Sequence, residues 1–365
     1  MLVFPAFAQQ TGYDPEEPLP KEVYAKARVL AVSEIYDRAE PGAASYATRG
    51  QNVTLKVLNG ELKGKVVTIW NPISAQMGWE IYPKRGDKLL LYVDQDEKTK
   101  EGFPKLYITD YVRNSTLVWL VIFFGAALIA LGRMKGVRSL LGLVFTIAVI
   151  ILVVIPLTLK GFNPILVAIL ISAIVSLVTF LLVSGVTQKS LCAFVGTVGG
   201  VIAAGVIAIV VGKMIHLTGL SSEEAKMLMY SLPANVSFQG ILFGSMIIGA
   251  LGAVMDVAMS VSSCIEEVKR VHKEASSEDL MKAGMNLGSD VMGTMANTLI
   301  LAYTGGALPL ILLILVSNVS MVKVFNLDMI ATEIVRALAG SLGLILCVPI
   351  TAITAGFLFS LKTEK

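Results

Sequence analysis

Two carboxylates stand inside long apolar sequence. Asp256 lies in GALGAVMDVAMSVSSCIEEVKR, residues 249–270, and Asp290 in GSDVMGTMANT, residues 288–298. An acid in the middle of a membrane-spanning helix costs about 2.5–3.5 kcal/mol on insertion scales, so such groups face partners, water or a transported ion. Helical spacing gives each acid company. Asp256, Ser260 and Ser263 stand at i, i+4 and i+7, and so do Asp290, Thr294 and Asn297, which puts each trio on one helix face. A polar seam of this kind can bind a proton, an ion or a small solute. The pattern therefore predicts secondary transport, with Asp256 buried in the helical bundle within reach of Asn297 or Asp290. The competing reading is plainer. It makes Asp256 a hydrogen-bonding partner that only fixes packing, and Asp290 a solvated acid favoured in a first helical turn by the helix dipole. Glu333 and Arg336, at i and i+3, read as a structural ion pair near one end of the last helix.

Other chemistries find no support. The three cysteines, Cys192, Cys264 and Cys347, all lie in apolar segments without CxxC spacing, and there are only two histidines, His216 and His272. That pattern gives neither a disulfide framework nor a metal site. No HExxH, GxSxG or Walker motif is present, so the chain reads as a non-enzyme that needs no cofactor and hydrolyses no nucleotide. The net charge of +3 is too small and too dispersed for nucleic-acid binding. The partners to expect are the lipid bilayer, a small solute or ion, and a second copy of the chain in a homo-oligomer.

The elements that position the acids follow from composition. The chain is 55% hydrophobic, yet residues 1–114 hold 15 of its 30 Lys and Arg and 15 of its 27 Asp and Glu. A polar domain thus precedes a membrane domain, with boundaries predicted at 1–19 for a signal-like remnant and linker, 20–114 for a β domain and 115–365 for transmembrane helices. Runs of about 20 apolar residues mark spans. They occur at 115–132, 139–159, 164–185, 191–212, 240–265, 287–305 and 337–361. The stretch PLILLILVSNVSMV, residues 309–322, makes an eighth span or a re-entrant piece after Gly305-Gly306. The fold class is therefore an α-helical polytopic membrane protein with seven or eight spans.

Charge sets the orientation. With the β domain outside, the inner loops carry Arg133, Lys135, Arg138, Lys189, Lys269, Arg270, Lys273 and Lys282, against Lys160, Lys213 and Lys226 outside. The opening MLVFPAFAQQ, with a small-x-small site before its glutamines, agrees with export of that domain. The expected location is the plasma membrane, multi-pass, with the β domain extracytoplasmic.

Within the polar domain, alternating Val, Thr, Tyr and Ile predict strands at 23–32, 52–58, 65–71, 88–94 and 105–112. Five short strands suit a small barrel of the OB kind or a small sandwich. Trp70, Trp79 and Tyr82 are either a ligand face or ordinary core and interface anchors. Small residues at Gly196, Gly199, Gly200 and Gly244, Gly249, Gly252 predict close helix packing.

The segments GALGAVMDVAMSVSSCIEEVKR, LGSDVMGTMANTLILAYTGGALPLILL and EIVRALAGSLGLILCVPITAI resemble the YibE/F-like family of bacterial multi-pass membrane proteins. The resemblance covers most of the chain and implies an extracytoplasmic β domain before a Gly-rich membrane domain. It supplies no catalytic residue. A more remote resemblance is to the RND and SecD/SecF superfamily, in an intramembrane acid followed by the charged exit SSCIEEVKR and a later Gly-Gly turn. That likeness implies proton coupling through Asp256. Together these expectations make the chain a permease, or alternatively a membrane scaffold or assembly factor whose β domain binds a partner.

Overall fold

The structure, a computed structural model, describes residues 23–37, 49–73, 80–98, 104–231, 236–317 and 319–360. The signal-like opening and Trp79 lie outside the described residues. The chain divides into two compact units, with the boundary between Phe124 and Gly125.

The first unit is built on β1 (Val23–Val32), β2 (Tyr36–Asp37), β3 (Arg49–Val57), β4 (Val66–Ile73), β5 (Lys88–Lys98) and β6 (Pro104–Tyr111). Every pairing is antiparallel: β1 lies between β3 and β5, β4 adds outside β3, and β6 outside β5. β4 comes beside β6, so these five strands curl into a nearly closed barrel, and the two-residue β2 caps one end of β3. Strand alternation explains the core. Ala27, Val29, Val53, Leu55, Val57, Leu89 and Leu91 are all buried, while the residues between them are partly or fully exposed. Gly60 and Gly64, at φ 79° and 86°, take the left-handed conformations that the β3–β4 turn requires.

The second unit is helical, and the first eleven residues of its leading helix, Asn114 to Phe124, fall in the first unit. Its elements are α1 (Asn114–Val149), a π-helical turn (Ile150–Val154), α2 (Ile155–Leu159), α3 (Pro164–Ser184), α4 (Gln188–Met214), α5 (Glu223–Ser231), α6 (Phe238–Val271), α7 (Ser277–Gly306), α8 (Leu308–Val316), α9 (Met321–Phe325) and α10 (Asp328–Ser360). Polar residues at the boundaries start them. Asn163 accepts from the Ile165 N–H, Ser237 from Gly240, and Ser276 forms a reciprocal capping box with Asp279. Among the described residues five helices are long and apolar enough to cross a membrane, or six if α7 and α8, bent by 55°, count as one span.

One detail differs from the sequence expectation, and the structure bears on one choice that it left open. The polar link expected over 133–138 is helical except at Arg133, which takes φ 49° and ψ −131°. There α1 folds back on itself: Gly136 lies against the Leu128 carbonyl, and Gly125 against Leu140. Residues eight apart in a straight helix would be about 12 Å apart, so this is a hairpin of two arms. The stretch 309–322 forms only the nine-residue α8 and the short α9. At 1.5 Å per residue α8 reaches about 14 Å, too little to cross a bilayer unaided.

The core lies where α3, α4, α6, α7 and α10 meet, around Val175, Val201, Val254, Val257, Leu344 and Val348. Glycines set the spacing. Gly196 and Gly200 of α4 pack on Thr351, Cys347 and Gly343 of α10, and Gly284 and Gly288 of α7 receive Ile265 and Val348. α6 and α10 run parallel, with α4 and α7 antiparallel to both.

Candidate functional site

The two acids sit on neighbouring antiparallel helices, α6 and α7. Ile265 packs at Gly284, and the Tyr303 hydroxyl reaches Gly249. These contacts fix the register. They set Asp256 level with Thr294 and Met295, and Ser260 level with Asp290. Each acid is therefore level with a hydroxyl on the adjacent helix.

The side chains do not turn inward, and this corrects the expectation of a buried Asp256. Asp256, Ser260, Asp290, Thr294 and Asn297 are all exposed, and Ser263 is half-buried. Among the described residues the Asp256 carboxylate has no hydrogen bond or ion pair, either with Asn297 or Asp290 or with any other group. The reason lies in the inner face of α6. Ala250, Val254, Val257, Ala258 and Val261 fill it completely against the core, and the polar stripe lies on the opposite side. Thr294 and Thr298 donate to carbonyls of their own helix, those of Val291 and Thr294, at 3.0 and 2.9 Å. The seam residues thus share one level and one outward-facing surface, without bonds between them.

That surface is chemically unlike the rest of the bundle. α3 turns Leu166, Leu170, Ile174, Leu177 and Leu181 outward, and α10 turns out Leu338, Leu342, Leu346, Ile353 and Phe357. These are continuous apolar stripes of the kind that suits acyl chains. α6 shows no exposed large apolar side chain between Phe238 and Arg270. Its exposed positions in the apolar stretch are Ser245, Gly249, Gly252, Asp256 and Ser260. On α7 the corresponding positions are Ser289, Asp290, Gly293, Thr294, Asn297 and Thr298. Tyr303 reaches over Gly249, so the two stripes meet there. At 1.5 Å per residue the α6 stripe runs about 22 Å, most of a hydrocarbon core.

Elsewhere, Arg336 Nη1 lies 2.7 Å from Glu333 Oε1, one turn apart near the start of α10. At the other end of the bundle Lys189 Nζ meets Glu266 Oε2 at 2.8 Å, and the Ser262 hydroxyl donates to the Lys189 carbonyl at 2.9 Å. Gln188 Nε2 donates to the Leu358 carbonyl at 3.5 Å. The α3–α4 link and the ends of α6 and α10 are thereby gathered at one end. An apolar groove between α4 and α10, lined by Ile207, Val211, Ile334 and Leu338, carries no titratable group. In the barrel, Trp70 packs its ring over Gly50 and beside Tyr36, whereas Tyr82 is exposed and bonded to Glu80.

Residues 120–361 match the family profile described as YibE/F-like protein, and residues 24–111 match the one described as YibE/F family N-terminal domain. The chain belongs to the YibE/F-like family. No curated protein and no solved structure matches it. Both polar stripes of this YibE/F-like chain fall inside the matched residues. Sequence reasoning missed Ser245, Ser289, Gly293 and Thr298, although a signal for them was present. At every outward position of the apolar stretch of α6 the YibE/F-like sequence has serine, glycine or aspartate, which a helical projection displays directly.

Proposed function

We propose that this YibE/F-like protein is a secondary transporter or permease of the plasma membrane, moving a small solute or ion, with the coupling proton carried at Asp256. One observation supports this best: the outward face of α6 and α7 offers carboxylates, hydroxyls and an amide, and almost no apolar side chain, through most of a bilayer's depth. A carboxyl group without a fixed counter-charge can hold a proton in an apolar setting and release it where water or solute reaches it, because only there is its charged form stabilised. In the mechanism, solute and proton meet at the level of Asp256 and Thr294. Asn297, one turn further along α7, supplies a donor and an acceptor for orientation.

The wider reading of the architecture has its own support. Counting the two arms of the α1 hairpin separately, and α7 with α8 together, gives seven spans, which puts the two ends of the membrane unit on opposite sides. The end that gathers Lys189, Lys269 and Arg270 is then cytoplasmic, by the excess of basic residues. The barrel is extracytoplasmic. Its strand order, β4-β3-β1-β5-β6 with β4 beside β6, is that of a five-stranded Greek-key barrel and supports an OB-like domain.

The test is uptake into reconstituted vesicles from a panel of metabolites and ions, for wild type and Asp256→Asn. Uptake by the wild type that is lost in a folded, inserted variant supports the reading. Equal uptake by both removes Asp256 from it.

A second reading, a scaffold whose barrel docks a partner, has one observation in its favour. Tyr24, Tyr92 and Tyr107 stand at matched register on β1, β5 and β6, with Tyr24 and Tyr92 edge to face at 5.9 Å. Such a row can anchor a protein or a glycan. Deleting residues 20–110 separates the readings, because a permease keeps its flux without the barrel and a scaffold loses its role.

A further inference from the structure

The polar face of α6 and α7 poses a physical problem that one chain does not solve. Acyl chains offer no donor or acceptor, and polar groups in spans are normally covered by protein or water. The apolar stripes of α3 and α10 suit acyl chains, and α6 presents nothing of the kind. The face also has room for close approach. A Cβ built on Gly252 or Gly293 would meet no atom within 4 Å, whereas one on the inward Gly200 or Gly343 would collide with its neighbours.

We propose that a second copy of this chain covers the face, in a two-fold dimer whose axis follows the membrane normal between the two α6–α7 pairs. The proposal deepens the transport reading and rests on it: the path is then lined by both protomers rather than open to lipid.

The occupant follows from the face's own chemistry. A two-fold axis along the normal preserves depth, so groups level on α6 and α7 of one copy face each other across the dimer. Asp256 is level with Thr294, and Asp290 with Ser260, as the packing of Ile265 at Gly284 and Tyr303 at Gly249 dictates. Each carboxylate therefore meets a hydroxyl of the other copy, Asp256 the partner's Thr294 and Asp290 the partner's Ser260. Acid against acid is avoided at both levels. Serine, threonine and asparagine are each donor and acceptor, so the surface is complementary to itself, as an isologous interface must be. Among its exposed residues between Asn286 and Thr298 there is no base, so an acidic partner would find no counter-charge. Gly252 and Gly293 supply the small surfaces that let helix backbones approach in a membrane.

The experiment is cysteine cross-linking in native membranes on the full chain, with the half-buried Cys264 replaced by serine. Two differently tagged copies, one carrying Ser260→Cys and the other Asp290→Cys, and separately one carrying Gly252→Cys and the other Thr298→Cys, are co-expressed and oxidised with copper phenanthroline, with Ile174→Cys on the α3 stripe of both copies as the control. Single-particle mass measurement in lipid nanodiscs counts the chains. The proposal expects a disulfide-linked species of twice the chain mass from the face positions, a yield at least ten-fold lower from Ile174→Cys, and two chains per particle. Linkage of Ile174→Cys but none of the face positions would overturn it, as would an adduct with a different protein. One chain per particle with Asp256-dependent uptake would overturn the dimer and leave transport standing. Linked dimers without any uptake would uphold the dimer and remove transport.

Discussion

Gly200 of α4 and Gly343 of α10 touch backbone to backbone. A Cβ on Gly200 would lie 2.8 Å from the Gly343 carbonyl oxygen, and one on Gly343 would lie 2.7 Å from that of Gly200. Two antiparallel spans thus approach as closely as helices can, with Cys347 and Val254 filling the space beside them. Gly200→Leu forces the helices apart, and overpacking of this kind costs about 1–3 kcal/mol. The thermal midpoint of the purified protein falls clearly, while Gly305→Ala, at a position with nothing within 4 Å, leaves it in place. Equal midpoints would show that the crossing tolerates separation.

Lys189 and Glu266 join the start of α4 to the end of α6 at 2.8 Å, with both side chains partly exposed. Such a pair contributes about 0–1 kcal/mol. Lys189→Glu places two acids together and lowers the thermal midpoint, and adding Glu266→Lys restores most of the loss. A double variant no more stable than the single one would show that the Ser262 bond to the Lys189 carbonyl, not the charge, holds this end.

The barrel's last strand ends at a titratable contact. Arg113 donates to Asp110 at 2.5 Å and the Tyr111 N–H at 2.7 Å, and together they hold the Asp110 carboxyl below its ordinary value. The unfolded chain binds this proton more readily, so the contact stabilises the barrel above the ordinary carboxylate range. That contribution is lost as pH falls through the lowered value. Carboxyl titration of the full protein by NMR should place Asp110 below the ordinary aspartate value, and Arg113→Ala should move it up. An unmoved midpoint would make the Tyr111 N–H the sufficient cause.

Much of this architecture was legible in the residues. Alternation gave β1, β3, β4, β5 and β6 to within a few positions, because one face of each strand is buried and the other is not. Apolar runs of spanning length gave the long helices. The hairpin at Arg133 was less legible, since a reversal made by one non-glycine residue leaves almost no compositional mark. At the site, spacing put Asp256, Ser260 and Ser263 on one helix face and Asp290, Thr294 and Asn297 on another, but it carried no information on the direction of those faces. A helix with one polar and one apolar face inverts its meaning in lipid, where either face can be turned to the core. Only the packing of Val254, Val257 and Val261 against α4 and α10 shows which face was chosen.

The most direct test of the transport account is proton movement in sealed vesicles carrying a trapped pH-sensitive dye, with a mixed metabolite extract added outside. Wild-type vesicles should show a dye response that accompanies solute entry, and Asp256→Asn vesicles, with the same amount of inserted protein, should lose at least nine-tenths of it. Indistinguishable dye responses from the two proteins would contradict the role given to Asp256.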